Sequence, residues 1–168
     1  MKYNFVCLNC NTTIKPNPNI STCPEPNCEG AFEIVYTNVN TKSPQETLIP
    51  LSNISNLTYL GQGNTPIVRL NTLSYNFGIN NIYAKLEYMN PTGSFKDRGS
   101  AMMISALNEF GINEIVEDSS GNAGASISAY SAYSKIKSHI FVPENAPKNK
   151  VSQIQLYGSI VHKIPGPR

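Results

Sequence analysis

The stretch of this sequence that most constrains its fold runs from Asn90 to Gly99 and reads NPTGSFKDRG. A strand-like run, Ile82–Tyr88, precedes it, and a helix-like run, Lys96–Phe110, follows it. The proline removes a backbone donor and favours an extended residue before it, while the glycine gives the turn freedom of φ. The sequence therefore predicts a strand, a tight turn and a helix in direct succession.

A lysine lies in the first turn of this predicted helix. Ser94 is suited to cap the helix, but Lys96 places a cation near the positive end of the helix dipole, where it is unfavourable. An isolated lysine would be interpreted as a solvated surface residue. After so constrained a turn, Lys96 is interpreted instead as an amine held at a fixed point. Such an amine can condense with a carbonyl, the chemistry that pyridoxal phosphate (PLP) uses.

The ten-residue motif resembles the cofactor-lysine motif of the tryptophan-synthase-β-like, fold type II PLP enzymes, and it is most similar to that of the threonine synthases. The run Gly61–Leu70 resembles the opening of the threonine synthase catalytic region, and its two glycines do not complete a dinucleotide-binding fingerprint. The resemblance implies that Lys96 is the catalytic, PLP-binding residue and that Phe95 packs near the cofactor ring. Asp97 and Arg98 are interpreted as residues that pin the start of the helix.

A second strand–turn–helix unit follows. The predicted strand Ile112–Glu117 leads into the turn Asp118–Ser126, which opens a helix of small residues whose first amides could seat an anion. The turn resembles the superfamily's Ser/Thr-Ser-Gly-Asn loop. The resemblance implies that Asn122 hydrogen-bonds the cofactor and that the loop holds the substrate carboxylate through Ser119, Ser120, Gly121, Asn122 and Ala123. Lys96 and Asn122 are expected at the carboxyl edge of one parallel sheet.

The remaining pattern alternates strands and helices. A short helix over Thr72–Phe77 is expected to stop at Gly78, and a helix over Ala146–Tyr157 is expected between the strands Ser138–Val142 and Ser159–Ile164. The predicted fold class is α/β, an open parallel twisted sheet with flanking helices. Residues 60–168 are assigned to this incomplete PLP-binding domain. His139 and His162 lie in strands without acidic or cysteine neighbours and are interpreted as structural or exposed.

All four cysteines lie in the first 37 residues, as Cys7-x2-Cys10 and Cys23-x4-Cys28. Without an export signal, paired cysteine knuckles favour a metal site over disulfides, and four thiolates suit tetrahedral Zn²⁺ in a closed, structural site. A short strand pattern over Ala31–Thr37 completes a predicted zinc-ribbon-like β module, residues 1–37. The second spacing departs from x2, which leaves a metal-free ribbon as the alternative. Some archaeal-type threonine synthases begin with a similar segment.

Residues 38–59, rich in Asn, Thr and Ser, are predicted to form a linker or wrapping arm. The net charge of the 168 residues is +2, with no basic block that suggests nucleic acid, and no apolar run reaches the length of a membrane span. We therefore expect a cytoplasmic protein without nucleic-acid or membrane partners. The resemblance implies a small amino-acid substrate and a homodimer.

For the intact enzyme, the resemblance implies conversion of O-phospho-L-homoserine and water to L-threonine and phosphate. The alternatives are another fold type II PLP enzyme (cysteate synthase-like, serine/threonine dehydratase or cysteine synthase) or a non-catalytic zinc-ribbon module with a degenerate PLP domain. The family's second domain and phosphate loop are not found in the 168 residues. We expect an N-terminal fragment, inactive alone, or a natural truncation.

Overall fold

The computed structural model describes residues 2–37, 39 and 49–166. Of the predicted linker, residues 38 and 40–48 lie outside the described part, so the proposed wrapping arm stays a prediction. Within the described residues, no helix is both long and apolar enough to cross a membrane.

The backbone divides into two compact units. The first unit comprises residues 1–57 and 102–113, and the second comprises residues 58–101 and 114–168. The domain boundaries predicted after residues 37 and 59 stay predictions.

The first unit begins with a small antiparallel sheet in the order β2-β1-β3, formed by β1 (Tyr3–Cys7), β2 (Thr13–Ile14) and β3 (Phe32–Tyr36). Strand β3 agrees with the predicted strand Ala31–Thr37. Aromatic rings pair across one face: the Phe5 and Phe32 rings stack at 5.7 Å, and Tyr3 lies 6.2 Å from Tyr36. Such cross-strand aromatic pairs stabilise a sheet of this size, which has little other apolar surface to bury.

The second unit opens with a two-stranded antiparallel sheet. Strand β4 (Ile67–Arg69) pairs with β5 (Tyr83–Lys85), and helix α1 (Asn71–Phe77) lies between them in the chain. Helix α1 ends at Gly78, whose left-handed φ of 63° confirms the predicted stop.

Strand β5 is shorter than the predicted strand Ile82–Tyr88, because a 3₁₀ turn, Glu87–Met89, interrupts it before the motif turn. Its partner β4 is antiparallel, so β5 belongs to a separate sheet. The expectation that Lys96 follows a strand of the parallel sheet is therefore wrong. The alternation that predicts a strand does not specify its partner.

Helix α2 (Lys96–Glu109) matches the predicted helix to within one residue. After it, β6 (Glu114–Asp118), β7 (Lys137–Pro143) and β8 (Ile160–Ile164) form a parallel sheet in the order β6-β7-β8. Helices α3 (Asn122–Tyr133) and α4 (Lys148–Leu156) make the crossovers between these strands. The predicted α/β class with a parallel sheet is confirmed.

Two histidines on the parallel sheet require a correction. Glu114 accepts a hydrogen bond from His139 Nε2 at 2.8 Å and pairs with Lys137 Nζ at 2.7 Å, and His139 Nδ1 lies 2.8 Å from His162 Nε2. The parallel register places Glu114 beside Lys137, within reach of the residue two positions farther along β7. The prediction that His139 lacks an acidic neighbour is therefore wrong, since the neighbour comes from another strand, whereas His162 contacts His139.

Helix α3 is enclosed because its side chains are small. Every residue from Gly124 to Ser131 is buried, and Ile154 of α4 and Ile140 of β7 are fully buried in the same unit. A Cβ on Gly124 would lie 2.1 Å from the Ser119 carbonyl oxygen and 3.2 Å from the Ile154 side chain. Glycine is therefore required where α3 leaves the preceding loop.

Replacement of Gly124 by alanine should destabilise the protein. The new Cβ would collide with backbone, which cannot rotate away, so we expect the free energy of unfolding to fall by about 1–3 kcal/mol. The measurement is the urea midpoint of the variant against the parent protein.

Gly99→Ala in α2 is the matched control, because a Cβ there meets no atom within 4 Å. Its helical alanine should leave the midpoint unchanged or raise stability by about 0.5–1 kcal/mol. Equal midpoints for Gly124→Ala and the parent would contradict the close approach.

Candidate active site

The turn before α2 is held by buried polar groups. Asn90, Thr92 and Ser94 are 4%, 8% and 5% exposed. Gly93 has a φ of 84° and donates its N–H to the Asn90 carbonyl at 2.9 Å. The Ser94 hydroxyl accepts the Lys96 N–H at 3.3 Å, as expected of a capping residue. The backbone at the start of α2 is therefore fixed by its own turn.

A buried carboxylate joins this turn to α3. Asp97 is fully buried and accepts hydrogen bonds from the Thr92 N–H at 2.7 Å, the Thr92 hydroxyl at 2.5 Å and the Ser126 hydroxyl at 2.6 Å. Its position in the first helical turn also suits the helix dipole. The interpretation that Asp97 pins the start of the helix is confirmed by these bonds.

The predicted catalytic lysine is exposed at this fixed point. The Lys96 ammonium lies 4.8 Å from the centre of the Phe95 ring, which is itself 56% exposed. Among the described residues, the Lys96 side chain has no carboxylate or hydrogen-bond partner. Its amine is therefore available to a ligand. Phe95 contacts Lys96 here, and its predicted role beside a cofactor ring stays a prediction.

A second network supports the turn through Arg98, which was predicted to pin the start of the helix, although sequence reasoning did not identify its partner Glu87. Glu87 receives both Arg98 Nε and an Arg98 terminal nitrogen at 2.8 Å, and also the Thr65 hydroxyl at 2.8 Å and the Asn90 amide at 3.0 Å. These bonds, the Arg98 pair foremost, lower the pKa of Glu87 to about 2. Gly63 adds an N–H to the Asn90 side chain at 3.0 Å. The run Gly61–Leu70 thus braces the lysine turn.

The predicted substrate loop leads from β6 into α3. Ser119 is buried and its hydroxyl accepts the Gly121 N–H at 3.3 Å. Gly121, at the N-cap of α3, provides no capping side chain, so the first amides of the helix, which include those of Asn122 and Ala123, receive no side-chain cap from the N-cap residue. Ser120 is half-buried in the same loop. The loop can therefore present backbone N–H groups to an anion.

Helix α4 contacts both loops, which the sequence did not indicate. The Lys150 ammonium donates to Asn122 Oδ1 at 2.8 Å, and one turn later Gln153 donates its amide to the Thr92 carbonyl at 3.3 Å. The second unit therefore brings together the lysine turn, the start of α3 and the first turns of α4. Sequence reasoning assigned no role to Lys150 or Gln153, so only the fold reveals their contacts.

The four cysteines form a separate cluster in the first unit. Cys7 Sγ lies 3.6 Å from Cys28 Sγ, Cys10 Sγ lies 3.5 Å from Cys23 Sγ, and all four sulfurs lie within 4.8 Å of one another. A Cβ on Gly30 would lie 2.5 Å from Cys7 Sγ, so glycine makes room for the cluster. All four cysteines are free thiols. The predicted ligand set is therefore brought together.

Sequence comparison identifies the family of this chain. The profile of the family described as "Pyridoxal-phosphate dependent enzyme" matches residues 58–168, which include the lysine turn and the α3 loop. The chain belongs to the pyridoxal-phosphate dependent enzymes. The match ends at residue 168, and the cysteine cluster lies before its first residue.

Individual relatives agree with this family. The threonine synthase of Methanocaldococcus jannaschii is 34% identical over an alignment of 176 positions, which covers 95% of this chain and 43% of that protein. A probable cysteine synthase of Bacillus subtilis is 34% identical over 108 residues, 62% of this chain and 34% of that protein. The solved serine racemase of Dictyostelium discoideum is 35% identical with a TM-score of 0.58, covering 62% of this chain and 34% of that one. The chain thus spans less than half of each relative.

The residues of the site fit the cofactor of this family of PLP-dependent enzymes. Lys96 offers an amine without a competing partner, and Asn122 offers an amide whose Nδ2 has no partner among the described residues. The uncapped start of α3 adds donors for anionic oxygens. An aldehyde with an acidic ring oxygen is matched by an amine and an amide donor, so the donor set suits PLP.

The Glu87 network predicts a pH-dependent stability. Since the folded protein holds the pKa of Glu87 at about 2 rather than 4.5, the network stabilises the fold above pH 4.5 and loses this effect as the pH falls toward 2. Glu87→Gln should therefore lower the urea midpoint at neutral pH. The difference in midpoint between the variant and the parent protein should disappear as the pH falls from 4.5 to 2.

Glu144→Gln serves as the control, because the Glu144 side chain has no hydrogen bond or ion pair in the part of the chain that the structure describes. Its midpoint should follow the parent protein at each pH. If the midpoint of Glu87→Gln stayed equally far below that of the parent protein at the lowest pH, the lost stability would come from something other than the carboxylate charge.

Proposed function

We propose that Lys96 carries PLP in an enzyme that acts on a small amino acid. The observation that supports this most directly is the partnerless amine on a backbone fixed by Asp97, in the same unit as the start of α3. A lysine whose backbone is anchored and whose amine is unpaired can join an aldehyde at a defined position. A solvated surface lysine would need neither the buried turn nor the buried carboxylate.

Other side chains take supporting roles in this proposal. Asn122 donates its amide to the ring oxygen of the cofactor, and Phe95 covers the ring. The loop Ser119–Ala123 holds the substrate carboxylate with its amides and hydroxyls. When bound, PLP supplies an electron sink for the carbon next to the substrate carboxylate. Once the amino group of the substrate has displaced it from the aldehyde carbon, the Lys96 amine would be free to remove and return the proton at the carbon next to the carboxylate, as a general base and acid.

We further propose that the intact enzyme is a threonine synthase, a phosphate-eliminating lyase that forms L-threonine and phosphate from O-phospho-L-homoserine and water. The alignment with the threonine synthase of M. jannaschii covers 95% of the chain, whereas the alignment with the probable cysteine synthase covers 62%. Coverage of 95% includes cysteine-module residues, which favours threonine synthase over the other candidates of the superfamily. The homodimer and the cytoplasmic location stay predictions.

Lys96→Ala tests the cofactor residue in the longest chain that carries this sequence. The variant should lack the visible absorbance band of lysine-bound PLP and should lose turnover, because it removes the amine that the buried turn positions. Lys148→Ala, at the exposed start of α4, is the matched control and should keep both. If Lys96→Ala kept the visible band, another lysine would hold the cofactor.

The same preparation separates the candidate reactions. Threonine synthase activity releases phosphate and threonine from O-phospho-L-homoserine in equal amounts. Ammonia release from serine or threonine would indicate a dehydratase, and cysteine formation from an activated serine and sulfide would indicate a cysteine synthase. Bound zinc without bound PLP would favour a non-catalytic module.

We also propose that the cysteine cluster binds Zn²⁺ as a structural site. Four thiolates at 2.3 Å from a tetrahedral ion would lie about 3.8 Å apart, close to the separations of the two sulfur pairs. These measured separations are 3.5 and 3.6 Å. Four protein ligands leave no open position for a substrate, so the ion would hold the ribbon together rather than take part in catalysis.

Removal of the metal should unfold the ribbon. Structural zinc supplies much of the folding free energy of small modules, so chelation should increase hydrogen exchange across residues 2–37. Zinc content by atomic emission should be one ion per chain. The double variant Cys10→Ser, Cys23→Ser should bind no zinc and should exchange as fast with chelator as without it. An unchanged exchange rate in the chelated parent protein would favour a metal-free ribbon.

A further inference from the structure

Lys150 is an unusual cation at the edge of the site. It lies in the first turn of α4, where the helix dipole disfavours positive charge, and no acidic residue accompanies it in that turn. Its side chain is half-buried, and its one hydrogen bond in the described part of the chain goes to Asn122 Oδ1 at 2.8 Å. The Lys150 ammonium is therefore held by an amide oxygen rather than by a carboxylate.

The hydrogen bond from Lys150 determines which way the Asn122 side-chain amide faces. A primary amide has one acceptor oxygen and one NH₂ donor group, and either can point toward a ligand unless a neighbour selects between them. An ammonium only donates, so Lys150 must take the oxygen. The NH₂ group then faces away from Lys150 and has no other partner among the described residues. Asn122 is thereby set to bind an acceptor.

Gln153 keeps Lys150 in place. It lies three residues after Lys150, on the same face of α4, and donates to the Thr92 carbonyl at 3.3 Å. Thr92 also bonds Asp97, which anchors the backbone next to Lys96. Helix α4 is therefore fixed to the lysine turn through one side chain and to the α3 loop through another.

We propose that Lys150 is a positioning residue that orients the Asn122 amide toward the ring oxygen of the cofactor and, through its charge, favours the anionic form of that oxygen. The proposal rests on the proposed function of Lys96 and Asn122. Lys150 acts through Asn122 and does not contact the reacting atoms. Its positive charge strengthens the amide as a donor, since a hydrogen bond to the amide oxygen polarises the amide.

Three variants test this role. Lys150→Met keeps the length of the side chain but removes its donor and charge, and Lys150→Arg keeps both. Lys148→Met removes a neighbouring exposed charge whose side chain has no hydrogen bond or ion pair with the described residues. The first measurement, in the cofactor-free protein, is the NMR signal of the Asn122 side-chain amide. Lys150→Met should shift this signal, Lys150→Arg should restore it in part, and Lys148→Met should leave it unchanged.

The second measurement is a titration with PLP itself. Lys150→Met should weaken PLP binding about tenfold, the effect of one charge-assisted hydrogen bond, and should lower the ratio of visible to near-ultraviolet absorbance of the bound cofactor. Lys150→Arg should recover most of both effects. A purely structural role for Lys150 would change the unfolding midpoint without changing the absorbance ratio.

The proposal would be overturned if Lys150→Met bound PLP with the affinity of the parent protein and showed the same absorbance ratio. An Asn122 signal unchanged in Lys150→Met would also overturn it, whether or not PLP binds. Failure of the proposed function gives a different result, in which the parent protein binds no PLP or binds it at a lysine other than Lys96. These outcomes are separable because the NMR measurement needs no cofactor.

Discussion

The buried carboxylate of Asp97 is the interaction on which the site depends. Burial of an ionised carboxylate costs several kcal/mol, and the cost is offset only when donors surround the charge. Two of its donors come from Thr92 in the turn and one comes from Ser126 in α3, at 2.5 to 2.7 Å. Since each bond to a charged group contributes about 1.5–3 kcal/mol, the three together hold turn, helix and loop as one piece.

The two cations in the first turn of α2, Lys96 and Arg98, differ in whether their side chains are paired with a carboxylate. Arg98 is paired with both oxygens of Glu87, and its guanidinium thereby braces the turn from outside. Lys96 has no such partner among the described residues, and only its backbone is restrained. A functional amine needs this arrangement, because a fixed backbone sets its position while an unpaired side chain keeps it reactive. Swapping the two residue types would give a paired lysine and an unreactive guanidinium.

Local patterns predicted the elements better than the contacts between them. The turn chemistry around Asn90 and the small residues after Ser119 were sufficient to place α2 and α3. The antiparallel pairing of β5 and the contact of His139 with Glu114 were not predictable, since both depend on which strand lies alongside. The same holds for Lys150 and Asn122, which are far apart in sequence and meet only because the crossover helix α4 follows the parallel sheet.

The carboxylates of the site are already paired with donors from the protein, whereas several donors remain available. This difference determines the kind of ligand that the site can hold. Asp97 and Glu87, the carboxylates that anchor the turn, are each occupied by several donors from the protein. Among the described residues, the groups available to a ligand include the Lys96 amine, the Asn122 NH₂ and the first amides of α3, which are donors or a nucleophile. A ligand that brings its own donors would leave these groups unpaired at a cost of about 1–3 kcal/mol each. Oxygen-rich anions with an electrophilic carbon satisfy the whole set, and pyridoxal phosphate, after which the family of this chain is described, has that composition.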